Sequence, residues 1–132
     1  MMLSGKRPTM TSVTKAEVKD FVEAAHGDLA KVQQMLADRP ELLDMPNGNE
    51  TALGAACQMR RTDIIEYLLA QGAEMNLSAA CVLGRTDEAA KFLADDLALL
   101  NKGDKQSHNK RPVYFAEYQP KTLQMLKSKG AK

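Results

Sequence analysis

The side chains that most often carry chemistry are few in this sequence and stand far apart. Its 132 residues include two histidines, His26 and His108, and two cysteines, Cys57 and Cys81. A general base must lie within hydrogen-bond reach of the group that it deprotonates, and nothing in the spacing brings the two histidines together. These residues also lack the close spacing of zinc ligands. We therefore predict no catalytic residue, no metal site and no cofactor.

Paired carboxylates could serve as a general acid and base, but both pairs have a simpler interpretation. Asp87 and Glu88 lie in the first turn of a predicted helix, where the helix dipole favours negative charge. Asp95 and Asp96 lie at a predicted helix end beside a loop. The motifs GxxxxGK[ST], GxGxxG and GxSxG are absent from the sequence. These observations argue against an enzyme.

Composition indicates one globular domain. The chain is 44% hydrophobic and 27% charged, with 5% aromatic residues and no tryptophan, so its core must be largely aliphatic. We expect a flexible leader over residues 1–13 and a single domain over residues 14–132. No apolar run approaches the ~20 residues of a membrane span, and no secretory signal is recognisable. Buried, reduced cysteines and a cytoplasmic location are the simplest expectation.

Charge is distributed unevenly along the chain. Residues 1–100 hold 10 basic and 15 acidic residues, a net −5, whereas residues 101–132 hold 8 basic and 2 acidic residues, a net +6. This basic C-terminal segment is either a solvated surface or a site for an acidic partner.

The elements that must position these residues are short helices. Four of the predicted helices begin at residues that can cap a helix N-terminus: Thr14, which forms a capping box with Glu17, then Asp28, Thr51, and Thr62 or Asp63. Ile64, Ile65, Leu68 and Leu69 form an apolar stripe, and Gly72 ends that helix in the left-handed conformation. Such thin helix pairs need similar neighbours to bury their stripes.

Residues 51–76 resemble an ankyrin repeat. The matching residues are Thr51, Leu53, Ala55, Ala56, Leu68, Leu69, Gly72, Ala73 and Asn76. The sequence departs from the ankyrin pattern at Ala52, where proline is usual, at Gly54, where histidine is usual, and at Arg60, where glycine is usual. Residues 18–100 are also similar to a family of small bacterial ankyrin-like proteins. The resemblance implies an all-α, ankyrin-type helical-repeat solenoid with reduced hairpin fingers.

We place about four repeats at residues 14–46, 47–76, 77–108 and 109–132. The run Ala55-Ala56-Cys57 recurs as Ala79-Ala80-Cys81 after only 24 residues, where about 33 is usual for ankyrin repeats. The loop of residues 44–50, here called the first finger, therefore has no counterpart between the second and third repeats. Residues 101–111 form the second finger. We expect an open gap between the two fingers that receives a segment of another protein.

Ankyrin-like proteins usually bind partners through fingers and inner helices, so the resemblance implies a non-catalytic protein-interaction module, acting as an adaptor, inhibitor or immunity-type partner. Carried over by position, the candidate protein-binding residues are Asn47, Gly48, Glu50, Gln58, Met59, Leu83, Lys105, His108, Lys110 and Tyr118. Met45 is a further candidate, and both it and Met59 are candidates as exposed apolar residues. The alternatives are a ligand-sensing or enzymatic unit and, less expected, a nucleic-acid binder.

We expect a monomer or a weak dimer. Dimerisation could occur through Leu123, Met125 and Leu126, because no further repeat follows to cover them.

Overall fold

The computed structural model describes residues 12–132, which form eight α-helices and no strands. The helices are α1 (Lys15–Ala24), α2 (Leu29–Asp38), α3 (Ala52–Gln58), α4 (Thr62–Ala70), α5 (Leu77–Leu83), α6 (Thr86–Asp95), α7 (Pro112–Phe115) and α8 (Pro120–Ser128). Short 3-10 helices lie at Pro40–Leu42, Leu97–Asn101 and Lys105–Ser107. The all-α prediction is confirmed. Within the described residues, no helix has the length and apolar character that crossing a membrane requires.

The predicted leader falls mostly outside the described part of the chain. Residues 1–11 are not described, and of the two that remain, Val13 is partly buried against the core.

Three predicted helix caps are confirmed. At the start of α1, the Thr14 hydroxyl accepts from the Glu17 amide at 3.1 Å, and the Glu17 carboxylate accepts from the Thr14 amide at 2.9 Å. Asp28 caps α2 by accepting from the amide of Lys31, and Thr51 caps α3 through the amide of Gly54. Each bond satisfies one of the amides that a helix start leaves without a partner.

The predicted cap of α4 is wrong. The helix begins at Thr62, and its N-cap residue is Arg61, which makes no side-chain cap bond. The Asp63 carboxylate instead accepts two bonds from the Arg61 guanidinium, at 3.1 and 2.8 Å, which holds the pKa of Asp63 below its ordinary value. Arg61 also donates to the carbonyl of Gly27 at 2.8 Å. A charge-assisted pair therefore replaces the expected cap and ties α4 to the loop after α1.

One connected core runs through the described chain. The odd-numbered helices contact one another in series, α1 with α3, α3 with α5 and α5 with α7, and each also contacts the helix that follows it. Residues 52–57 of α3 and residues 77–82 of α5 are all buried. Both cysteines are free and buried in this row, as predicted. Alanine and cysteine side chains keep the row thin, since the distance between packed helices depends on the side chains at the contact.

The C-terminal helix is better covered than the sequence indicates. Leu126 is fully buried, because α8 packs against α6 and α7. Thr122 is buried beside it, with its hydroxyl 2.7 Å from that of Thr86. Leu123 and Met125 are only partly buried. The prediction that all three apolar residues of α8 are uncovered is therefore wrong for Leu126.

A backbone bridge closes each of the two segments predicted as fingers, and the second of them narrows the gap between them. A backbone bridge from Asn47 to Glu50 closes the first finger, and one from Asp104 to Lys110 closes the second. No such bridge occurs in residues 71–76, between α4 and α5. The second finger folds back onto α3, where Ser107 is fully buried. The second finger therefore narrows the expected gap, of which a cavity of about 270 Å³ remains between Asp44, residues 73–76 and Gln106.

Candidate functional site

The second finger is held against α3 by close backbone contact. A Cβ atom at Gly54 would lie 1.7 Å from the carbonyl oxygen of Gln106, so no larger residue fits there without displacing the finger. The hydroxyl of Ser107 donates to the Gly54 carbonyl at 2.6 Å. The carboxylate of Asp104 accepts from the Ser78 hydroxyl at 2.5 Å and from the Gln106 amide at 2.9 Å. These contacts fix where the tip of the finger lies.

The tip of the second finger places His108 next to the first finger. His108 and Asn109 both have a φ of 58°, in the left-handed region, which turns the chain sharply. The Nε2 atom of His108 lies 2.8 Å from Oε2 of Glu50, and the Nε2 atom of His26 lies 3.0 Å from the same oxygen. The prediction that the two histidines stay apart is wrong. We call His26, Glu50 and His108 the histidine–glutamate cluster.

The ring of His26 is oriented by the end of α1. Its Nδ1 atom lies 3.0 Å from the carbonyl oxygen of Val22 and 3.2 Å from that of Glu23. A carbonyl oxygen only accepts, so Nδ1 carries the proton and Nε2 faces Glu50. The side chain of Glu50 is only 17% exposed, whereas that of His108 is 49% exposed. Of the described residues, these three have potential metal-ligand atoms that all lie within 4.8 Å of one another.

A second cluster surrounds Arg60. The guanidinium lies 4.0 Å from the ring centre of Tyr114 and 4.9 Å from that of Tyr118. It also donates to the Tyr114 carbonyl at 2.8 Å and to the Glu117 carboxylate at 2.7 Å. Arg60 adopts a φ of 52°, in the region that favours the glycine of the ankyrin pattern.

Two neighbours complete this second cluster. The hydroxyl of Tyr114 donates to the carbonyl of Gln58 at 2.6 Å, and the ammonium of Lys110 lies 5.0 Å from the centre of the same ring. We define the tyrosine–arginine surface as Gln58, Met59, Arg60, Lys110, Tyr114 and Tyr118. Met59 is 51% exposed and Tyr118 is 70% exposed. Exposure of Met59 and of Met45 agrees with the prediction from the sequence.

A cleft of about 380 Å³ lies beside the second finger. Its apolar lining includes Leu77, Phe92, Leu99 and Pro112, and its basic lining comprises Lys102, Lys105 and Lys110. Asp104 also lines it, but the carboxylate of this residue is already bonded within the chain. The cleft can therefore take an apolar group that carries a negative charge.

The predicted candidate residues divide between these places. Gln58, Met59, Lys110 and Tyr118 lie together in the tyrosine–arginine surface, and Glu50 and His108 meet in the histidine–glutamate cluster. Lys105 lines the cleft. Asn47 and Gly48 are exposed in the first finger, and Leu83 is half-buried against the core at the end of α5.

Sequence reasoning missed His26, Arg60 and Tyr114. Arg60 did carry a signal, because it stands where the ankyrin pattern has glycine. His26 carried no such signal, because Glu50 and His108, the other two residues of its cluster, lie 24 and 82 positions further along the chain.

No protein family, curated protein or solved structure matches this chain.

Proposed function

We propose that this chain is an ankyrin-type helical-repeat protein that binds another protein and catalyses no reaction. Helices α2 and α6 each have 10 residues and begin 57 positions apart, and α4 and α8 each have 9 residues and begin 58 positions apart. The odd-numbered helices contact one another in series. These relations support stacked helix pairs arranged as two copies of a two-repeat block.

The tyrosine–arginine surface is the observation that carries the binding proposal. Tyrosine, arginine and methionine are enriched at protein interfaces, and tyrosine and arginine supply many of their strongest contacts. Arg60 is held by two hydrogen bonds and two aromatic rings. Because its conformation is already fixed, little side-chain freedom is lost when a partner binds. Met59 and Tyr118 expose large apolar groups beside it.

The partner in this proposal presents an acidic segment. Arg60 and Lys110 bring positive charge to the surface, and Glu117 offsets one of these charges. Lys102 and Lys105 line the neighbouring cleft, which shares Lys110 with the surface. The free, buried cysteines support a reducing compartment such as the cytoplasm. A monomer is favoured because Leu126 is covered within the chain.

The test is to identify a stoichiometric protein partner and then to measure its affinity for surface variants. The partner would be captured from a host extract, with and without nuclease treatment, by the full, untagged chain coupled to a resin. We expect the double change M59A and Y118A to weaken its binding at least about tenfold, as loss of central interface contacts does. Leu97→Ala is the matched control, because Leu97 is also exposed, at 59%, but lies outside the surface.

Each alternative predicts a different outcome. Equal affinity of the double variant and the control would contradict the proposed surface. Binding only of nucleic acid, lost steeply with added salt, would favour the nucleic-acid alternative. The cleft favours a third result, stabilisation by a small anionic ligand with no protein partner, since its volume suits a small-molecule site.

A further inference from the structure

We propose that His26, Glu50 and His108 bind one zinc ion. The ligands would be the Nε2 atoms of the two histidines and the carboxylate of Glu50, with water in the fourth position. This site does not depend on the proposed protein partner, because its residues lie outside the tyrosine–arginine surface.

The donor atoms and their distances suit zinc. Imidazole nitrogen and carboxylate oxygen are common zinc ligands, at about 2.0–2.2 Å from the metal. Tetrahedral geometry at that bond length separates neighbouring ligand atoms by about 3.3 Å. The two histidine nitrogens lie 3.0 and 2.8 Å from Oε2 of Glu50. Zinc would open these two distances by a few tenths of an ångström, and the two histidine nitrogens lie within 4.8 Å of each other.

Hydrogen bonding explains why a cation is needed at this position. Nδ1 of His26 donates to the Val22 carbonyl, so Nε2 presents a lone pair to Glu50 unless the ring takes a second proton. Two acceptors 3.0 Å apart repel each other unless a positive charge lies between them. A metal ion satisfies both, and metal-bound histidines commonly donate their other ring N–H to a carbonyl in this way. A proton shared within the cluster is the competing occupant.

The three ligands come from separate parts of the chain that are already fixed. His26 follows α1, and Glu50 lies in the first finger, where its backbone pairs with Asn47 at 2.8 and 3.1 Å. His108 lies in the second finger, which Asp104 and Ser107 fasten to α5 and α3. Because the fold assembles the site, binding does not have to order the loops first. The exposed ring of His108 leaves access for the ion and for a water ligand.

For the test, the untagged full chain is first stripped of metal with EDTA. It is then titrated with Zn²⁺, and the binding is measured by isothermal titration calorimetry. We expect one zinc per chain and no binding of Mg²⁺, which prefers oxygen ligands. H108N and E50Q should each weaken zinc binding by at least about tenfold, since loss of outer contacts alone weakens metal sites by about 10–100-fold. Asparagine tolerates the left-handed φ of residue 108.

The controls separate a lost ligand from a lost fold. Glu74→Gln removes an exposed carboxylate elsewhere and should bind zinc like the unchanged protein. All variants should show equal helicity by circular dichroism in EDTA. Zinc should then raise the Tm of the unchanged protein and of E74Q by several degrees, and leave that of H108N almost unchanged. The proposal would be overturned if H108N and E50Q still bound zinc. It would also be overturned if the unchanged protein bound no zinc at about 100 μM, and a proton would then be the occupant of the cluster.

Discussion

At the scale of single residues, contacts in the structure account for two departures from the ankyrin pattern. Gly54 stands where histidine is usual, and the Gln106 carbonyl occupies the space of its missing side chain. Arg60 stands where glycine is usual, and its left-handed backbone aims the guanidinium at Tyr114 and Tyr118. Both residues meet partners more than 50 positions away, so the departures mark the sites at which distant parts of the chain touch.

The first prediction concerns Gly54. We expect Gly54→Ala to lower the free energy of unfolding by about 1–3 kcal/mol, because the added methyl group must displace the second finger. It should also weaken zinc binding, since His108 moves with the finger. Chemical denaturation and the zinc titration measure the two effects.

Gly27→Ala is the matched control for Gly54→Ala. Its Cβ would meet only the end of the Arg61 side chain, at 3.0 Å, and no backbone atom, so its effect on stability should be smaller. Equal stability losses in the two variants would contradict the close contact proposed at Gly54.

At the scale of elements, contacts between residues close in sequence were predictable, and contacts between residues far apart in sequence were not. The caps at Thr14, Asp28 and Thr51 depend on amides three residues away, so the pattern sufficed. The cap of α4 was predicted wrongly because the Asp63 carboxylate bonds to the guanidinium of Arg61, two positions earlier. The folding of the second finger onto α3 depends on Ser107 reaching Gly54, 53 positions earlier. No local pattern encodes such a contact.

The second prediction concerns the anchor of the second finger. Asp104→Ala removes the acceptor for Ser78 and for the Gln106 amide, leaving the hydroxyl of the buried Ser78 without its partner. We expect a loss of about 1–3 kcal/mol in stability and faster hydrogen exchange of the amides in residues 104–110. Amides of α1 should exchange as before in native-state experiments.

Asp95→Ala is the control for Asp104→Ala, because Asp95 is exposed in α6 and forms no bond to the finger. Unchanged exchange in residues 104–110 of the Asp104 variant would show that the finger is held by other contacts.

At the scale of the whole molecule, one core links all the helices. The aliphatic, all-α character followed from composition and periodicity, because burial of apolar stripes decides the packing of short helices. The histidine–glutamate cluster could not be predicted from the sequence, because its three residues are brought together by the paths of three separate loops. Four of the candidate residues, Gln58, Met59, Lys110 and Tyr118, lie together in the tyrosine–arginine surface, whereas Tyr114, inside α7, was not among the candidates.

The third prediction tests whether this core unfolds as one unit. Leu126→Ala in α8 should lower stability by about 2–5 kcal/mol, since Leu126 is fully buried. Unfolding followed by circular dichroism and by reaction of the Cys57 thiol should show the same transition midpoint, although Cys57 lies in α3. If Cys57 stayed protected after the helical signal had changed, α8 would unfold separately.

Thiol reaction is a suitable probe because both cysteines are inert in the folded chain. Burial raises the pKa of the Cys57 thiol well above its usual range, with the charge of Asp104 adding to the effect, and burial raises the pKa of Cys81 to about 12. The reactive thiolate therefore forms only after unfolding. Since the folded pKa values are raised, their contribution to stability is complete at neutral pH and is lost as pH rises above the ordinary thiol value.

The long sequence separation of the contacts that α3 and Arg60 make with the C-terminal part of the chain sets the order in which the protein can fold. Pairs such as α1 with α2 and α3 with α4 join neighbouring residues and can form early. The bonds of Ser107 to Gly54, of Tyr114 to Gln58 and of Arg60 to Glu117 close loops of 53 to 57 residues. During synthesis, the contacts of α3 with the last quarter of the chain therefore form late. The Gly54 face of α3 stays open to solvent until the second finger has left the ribosome.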